Sequence, residues 1–509
     1  MSTPINKKFN LLALEIEGFQ SIRDPIRIEF APITLLYGPN SAGKSAIFDA
    51  LKLLMLIWDP YKQATTDELE DILCKWVHIP INHNASKIDK VLTLVVEVLV
   101  PEDLSNLDLG PDDHSGFYNE DIAYEALGKK LKFSFKANSY FGVDRFDIES
   151  FSIFNCTENV EVLNVASQTR DRQYEFKING NVQKGLSNDL LFYGCNIFTN
   201  LGSPIGTGGD YPDYINFYGN LLERLLYQST SLVHADRSIP APEDSVFFID
   251  EHVNSAIRKV VYKKFGFDNM FFVKLSSLAV HNEIYSDFIT TFTDGIKHVD
   301  KHLDQRKLNQ FRRVNEYLSN YLFHEKGYQI SADINYLVQF VEFVDGDPRR
   351  IKNTPAFVHL FLVDNESRKI EIQDVGSGIA FVIPVLVSVS INQISSIQQP
   401  ELHLHPALQS SLADVFIDRL NDLDENWQTI VETHSEHLLL RLLRRVRETG
   451  MGKRKDNKVS PDDIGIYYFN PLVTGTTAVQ KLRISSDGEF IDRWPRGFFT
   501  ERDGDLFDE

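Results

Sequence analysis

Cysteine is scarce in this chain. Its 509 residues hold three, Cys74, Cys156 and Cys195, too few for a disulfide framework and too widely spaced for a thiolate zinc site. Unbroken apolar runs of membrane length are also missing. No uncharged stretch stays apolar over the roughly 18 residues of a membrane-spanning helix, and the polar start MSTPINKKFN does not read as a secretory signal. These absences predict a cytoplasmic protein with no membrane association. Positive charge is in short supply: 52 lysines and arginines stand against 72 aspartates and glutamates, a formal net charge of −20. That balance excludes a protein coated in phosphate-binding surface, although one local basic face can survive within an acidic whole. Sustained heptads, internal repeats and low-complexity tracts are absent as well, so no long coiled-coil arm is expected. What remains is a globular chain long enough for two or three lobes.

The most informative stretch is LLYGPNSAGKSAIFDALKLL, residues 35–54. Gly38, Pro39, Asn40, Ser41, Ala42, Gly43, Lys44 and Ser45 fit the pattern G-x-x-x-x-G-K-S/T. An apolar run, residues 33–37, precedes them, and a helix-patterned run opens at Ala46. Glycines let backbone N–H groups turn inward, and a helix N-terminus adds partial positive charge, so the stretch suits phosphate. Lys44 is expected to reach the β- and γ-phosphates of ATP and Ser45 to ligate Mg²⁺. A glycine-containing turn before an ordinary helix explains the glycines but not the whole pattern in its strand-loop-helix setting.

The organisation predicted is α/β, a mixed sheet with flanking helices and an inserted, mainly helical lobe. Residues 1–182 read as the N-terminal part of the core with a β-rich lobe, from FNLLALEIEGF, IRIEFAPITLLYG, VLTLVVEVLVP, LKFSFKAN, FDIESFSIF and RQYEFKINGN. The acidic, turn-rich stretch 102–130 reads as a surface loop. Residues 183–345 turn mostly helical, as in YINFYGNLLERLLYQ and HLDQRKLNQFRRVNEYLSNYLF. Residues 346–509 alternate again and are expected to close the core.

That closing part carries three further motifs: Gly376-Ser377-Gly378 before an apolar helix, QQPELHLHP from Gln398 to Pro406, and ETHS from Glu432 to Ser435. With the P-loop, and in this order, they make the chain resemble the ABC-type ATPases of the SMC, RecF and OLD (overcoming lysogenization defect) class. Within that class it looks most like a compact bacterial branch ending in a segment such as GEFIDRWPRGFF, residues 488–499. The resemblance covers roughly residues 10–60 and 370–500. It implies an ABC-type P-loop ATPase head that binds ATP between two subunits, as a homodimer or higher homo-oligomer. Gly376, Ser377 and Gly378 would grip the γ-phosphate in trans, and His434 would be the switch histidine touching it. A tight turn packed for its small residues, and a histidine satisfied at a strand end, are the plainer alternatives.

Where the class commonly has Glu-Glu or Glu-Gln, this chain has Gln398-Gln399. Glutamine can accept from a metal-bound water and orient a nucleophile, but it carries no charge and takes no proton at neutral pH. Gln398 is therefore expected on the Mg²⁺ side, with Lys44, Gln399 and His434 completing the catalytic set, and hydrolysis is expected to be slow. Two explanations stand: a slow, ATP-holding switch, or a Glu→Gln change made to trap the bound form. Glu401 and Glu432 are the nearby carboxylates, and neither is assigned the missing role. His403, His405, His434 and His437 do not complete a metal shell.

Three other places stay open. Phe19, Gln20, Ser21 and Ile22 either line the base pocket or form an amphipathic edge hairpin. Arg237 either reaches the site or a partner, or is solvated. The basic stretch 441–455 either meets nucleic acid or an acidic partner, or is a solvated helix whose cations complement its dipole. The class suggests anti-phage defence or DNA repair through a partner effector, a nuclease or toxin. About 75 residues follow His434, too few for an added Toprim domain. A non-hydrolysing ATP sensor that holds and releases an effector is the alternative.

Overall fold

The computed structural model describes residues 10–57, 90–101, 126–139, 146–167, 174–183, 230–235, 237, 305–344, 347–422 and 427–495, with Tyr218, Leu221, Leu275, Ser276, Leu278 and Ala279. In chain order the strands are β1 (Asn10–Glu17), β2 (Ile26–Glu29), β3 (Ile33–Tyr37), β4 (Lys90–Leu99), β5 (Lys130–Ser139), β6 (Phe146–Asn155), β7 (Val160–Ser167), β8 (Tyr174–Ile178), β9 (Asn181–Gln183) and β10 (Thr230–Val233). They continue as β11 (Gln329–Val344), β12 (Asp347–Val363), β13 (Lys369–Glu371), β14 (Ile394–Gln398), β15 (Gln428–Glu432), β16 (Ile464–Pro471) and β17 (Thr477–Leu482). The α-helices are α1 (Lys44–Ile57), α2 (Gln305–Glu316), α3 (Ser377–Ile391), α4 (Pro406–Leu420) and α5 (Glu436–Gly450).

Two sheets face each other across α1. One is antiparallel, eight strands in the order β2-β1-β4-β5-β6-β7-β8-β9; the other has six strands in the order β10-β14-β15-β3-β16-β17. In the second sheet β10, β14, β15, β3 and β16 pair in parallel and β17 closes the edge antiparallel. Parallel strands covered on both faces read as short continuous apolar runs, and β3, with all five residues buried, is one. Its side chains alternate between two cores. Leu36 joins the cluster with α1 and the antiparallel sheet, around Leu14, Phe19, Ile47 and Leu51. Leu35 and Tyr37 join the opposite cluster, with Val385 of α3, Phe416 of α4 and Leu442 of α5.

The helices on that second face have legible starts. In α5 the Ser435 hydroxyl accepts from Leu438 N, an N-cap worth about 1 kcal/mol. Leu438, Leu439, Leu442, Leu443 and Val446 then fall on one buried stripe, the three-and-four spacing of a helix packed on a sheet. In α4, Pro406 opens the helix and His405 caps it.

The span 183–345, read as mainly helical, holds α2 and a further helical turn at Tyr317–Leu322, and also β10 and the whole of a sixteen-residue strand, β11. Short β10, TSLV, belongs to the parallel sheet itself. YINFYGNLLERLLYQ lies outside the described residues except for Tyr218 and Leu221, and so does 102–125. Among the described residues, no helix is long and apolar enough to cross a membrane.

Candidate functional site

The carboxyl ends of β14, β15 and β3 lie side by side, because β15 sits between the other two. Gln398, the last residue of β14, is the register partner of Glu432, the last of β15, and Glu432 is the partner of Leu36, two residues before the P-loop. In parallel α/β sheets this edge is where ligands bind.

The loop itself is shaped by three residues with positive φ, Gly38, Ser41 and Gly43. A Cβ at Gly38 would fall 2.5 Å from the Phe469 carbonyl oxygen, and one at Gly43 would fall 2.4 Å from Ser21 Oγ. Both positions require glycine for space as well as for φ. Thr477 of β17 braces the loop from behind, donating its hydroxyl to the Ala42 carbonyl at 3.0 Å. Asn40, Ser41 and Ser45 are exposed on the open side, whereas Pro39 is half-buried and Ala42 and Ala46 are buried.

Lys44 is buried, and its ammonium donates to the carbonyls of Gly38 and Pro39, each at 2.9 Å. Glu432 Oε1 stands 3.8 Å from it. Burial lowers the Lys44 pKa, with the carboxylates of Glu432 and Glu401 opposing; burial raises that of Glu432, with Lys44 opposing. Desolvation therefore outweighs the pairing on both sides. Ser45 Oγ lies 3.3 Å from Glu432 Oε2. A hydroxyl and a carboxylate are hard oxygen donors, the set a magnesium ion takes beside nucleotide phosphates.

Gln398, expected on the metal side, turns its amide oxygen away. Oε1 meets His234 Nδ1 at 3.2 Å and Ala235 N at 3.4 Å, while Nε2 donates to Glu432 Oε2 at 3.2 Å. Gln399 has positive φ, and its N–H donates to the Glu432 carbonyl at 2.7 Å. Arg237 is buried, not solvated. Its guanidinium donates to the carbonyls of Gln398 at 3.0 Å and Gln399 at 2.9 Å, tying the end of β10 to that of β14.

Glu401 holds the switch loop, accepting from Thr433 Oγ1 at 2.8 Å and from His434 N at 2.7 Å. Burial raises its pKa. His434 is half-buried, and burial, then the charge of Lys44, lowers its pKa, so the ring is neutral at pH 7. Gly376 caps α3, and Gly376 and Ser377 are exposed. Gly378 packs on the loop after Gln399, where a Cβ would fall 2.6 Å from the His403 carbonyl oxygen. Among the described residues no hydrogen bond joins this turn to the P-loop of the same chain.

The remaining sequence candidates scatter. Phe19 and Ile22 are fully buried in the core, Gln20 donates to Asp49 at 2.7 Å, and Ser21 touches the P-loop. Of the four, Ser21 stands beside the loop at Gly43. No cluster of three or more metal-ligating His, Cys, Asp or Glu side chains occurs among the described residues. In the basic stretch, Arg441 and Arg445 pair with Asp414, Arg444 and Arg454 with Glu448, and Arg447 with Glu489.

The chain is similar to known proteins. A family model described as AAA ATPase domain matches residues 10–439, and one described as a protein of unknown function (DUF3696) matches residues 459–508. Over 46 residues, 9% of the chain, the sequence is 48% identical to the chromosome partition protein Smc of Halothermothrix orenii, and the match spans 4% of that protein's length. Similar solved structures include an Smc head bound to the C-winged helix domain of ScpA, with 11% identity, a TM-score of 0.43 and coverage of 93% of this chain and 98% of that one. The recombination mediator protein RecF is another, with 10% identity, a TM-score of 0.34 and coverage of 94% and 99%.

Proposed function

The chain belongs to the AAA ATPase domain family, and on that premise we propose that it binds ATP, dimerises or forms a higher homo-oligomer on it, and hydrolyses it slowly. The observation that carries this reading is the meeting of Lys44, Ser45, Gln398 and Glu432 at the ends of three adjacent strands. Lys44 would exchange the carbonyls of Gly38 and Pro39 for the β- and γ-phosphates. Backbone N–H groups from Gly38 to Ala46 would take the remaining phosphate oxygens. Magnesium, held by the Ser45 hydroxyl, would supply positive charge against the negative charge on the oxygens of the transferring phosphoryl group. His434, as a neutral ring, would donate to the γ-phosphate or orient the attacking water. The turn Gly376-Ser377-Gly378, exposed at its first two residues, would face the nucleotide of a second subunit.

Slow turnover follows from two neutral amides, Gln398 and Gln399, neither of which can take a proton from the attacking water. The same observation favours a second reading, an ATP sensor or scaffold without turnover. In either case the cycle of assembly would control a partner effector, a nuclease or toxin, in anti-phage defence or DNA repair. The arginines of 441–455 are engaged by the chain's own carboxylates, which favours a structural role for that helix over a nucleic-acid face. Steady-state phosphate release, measured alongside the ATP-dependent change in sedimentation, tests the proposal. Assembly with release supports the ATPase, assembly without release supports the sensor, and neither effect refutes both.

A further inference from the structure

We propose that Glu432 is the anionic ligand of the magnesium site in this chain, and that Gln398 is its positioning residue. This rests on the nucleotide-site reading of the P-loop given above. The position comes from sheet order: β15 lies between β14 and β3, so the side chain ending β15 projects between Gln398 and the P-loop. Glu432 is 5% exposed, and within that small opening it meets Ser45 Oγ with both oxygens, at 3.4 and 3.3 Å.

The other carboxylates near the loop are committed elsewhere. Glu401 spends one oxygen on the Thr433 hydroxyl and the other on His434 N. Asp49 accepts from Gln20. Among the described residues the hydroxyl of Ser45 hydrogen-bonds no carboxylate except Glu432.

The amide of Gln398 is oriented by its neighbours. Oε1 faces the N–H of Ala235, which can only donate, and Nε2 faces Glu432 Oε2, which as a carboxylate can only accept. Turning the amide over would set donor against donor and acceptor against acceptor. Gln398 thus presents a fixed N–H to Glu432, holding the carboxylate toward Ser45, while Arg237 pins the backbone of Gln398 and Gln399 from the other side. The anionic ligand has moved one strand along the sheet, and the glutamine orients it.

The test is equilibrium binding of a fluorescent ATP analogue to the full chain, in EDTA and across a Mg²⁺ series. Glu432→Gln keeps the size and one acceptor oxygen and removes the charge. Its affinity in EDTA should match the parent within about twofold, while the Mg²⁺ concentration needed for the metal-dependent gain should rise at least about tenfold, the scale of losing a group that holds a bound metal. The double variant Gln398→Glu/Glu432→Gln returns the anion to β14 and should recover the parent's Mg²⁺ dependence. The proposal is overturned by a Glu432→Gln variant with the parent's Mg²⁺ requirement, by an equal loss of affinity with and without Mg²⁺, or by a double variant that recovers nothing. A parent that binds no analogue under any condition overturns the nucleotide-site reading itself.

Discussion

The hydroxyl of Tyr37 donates to the carbonyl of Ser435 across 3.0 Å. This bond joins the residue before the P-loop to the residue that caps α5, so the phosphate loop and the switch loop are fastened to one another beneath the site. The ring packs edge-on against Trp494 at 5.5 Å, inside the C-terminal segment. Tyr37→Phe keeps the ring and removes the hydroxyl, and should lower stability by about 1 kcal/mol, the net value of a buried hydrogen bond. The measurement is the denaturant midpoint at constant slope, and an unchanged midpoint would show that the bond contributes nothing.

Lys44→Ala should abolish ATP binding. The ammonium is the cation aimed into the loop, and in its absence the carbonyls of Gly38 and Pro39 would face phosphate oxygens. Undiminished binding of a fluorescent ATP analogue would remove the nucleotide site from consideration.

What could be read in the sequence was the local chemistry. The P-loop is one contiguous stretch, its glycines needed at positive φ, and the stripe from Leu438 to Val446 announces a helix by spacing alone. What could not be read was sheet order. Glu432 matters because β15 falls between β14 and β3, a relationship that no motif encodes, since Ser45 lies 387 positions from Glu432; the carboxylate was visible, its neighbours were not. Arg237 is the same case, since its targets lie 161 and 162 positions away. Strand β10 escaped because four buried residues carry no period that separates strand from helix.

Ser377→Arg should block ATP-dependent assembly while leaving binding by the single chain intact. Ser377 is exposed, and a Cβ at the adjacent Gly376 would meet nothing within 4 Å, so the larger side chain fits the isolated subunit and obstructs only a facing one. Sedimentation with and without ATP reads the effect. Equal assembly by variant and parent sinks the assignment of the turn to a trans contact.

Glu401 should make the switch loop pH-sensitive. Burial raises its pKa above the ordinary carboxylate value near 4.5, so the folded chain holds this proton to a higher pH than the unfolded chain does. The stability this group contributes is full below its unfolded pKa and is lost as pH rises through the folded one. Melting temperatures of the parent, relative to those of Glu401→Gln, should therefore fall as pH rises from 4.5 toward neutrality. Over the same window, deprotonation frees both oxygens to accept from Thr433 and His434 N, so ATP turnover should rise. A constant difference in melting temperature would mean that Glu401 is not shifted.

Gln398→Glu should raise ATP turnover. The new carboxylate would face Glu432 at the present 3.2 Å contact, and two like charges so close repel unless a proton or a cation lies between them. Magnesium should consequently bind more tightly, and the added anion should hold it better against the transferring phosphoryl group. One well-placed electrostatic group is worth roughly 3 to 4 kcal/mol in a transition state, so a gain on the order of a hundredfold is expected. Gln399→Glu should give less, because that residue meets Glu432 through its backbone N–H. Faster loss of the γ-phosphate should also shorten the life of the ATP-bound assembly. Single-turnover hydrolysis with Mg²⁺, read beside the dissociation rate of the assembly, decides the matter: if Gln398→Glu changes neither, position 398 does not bear on the metal, directly or through Glu432.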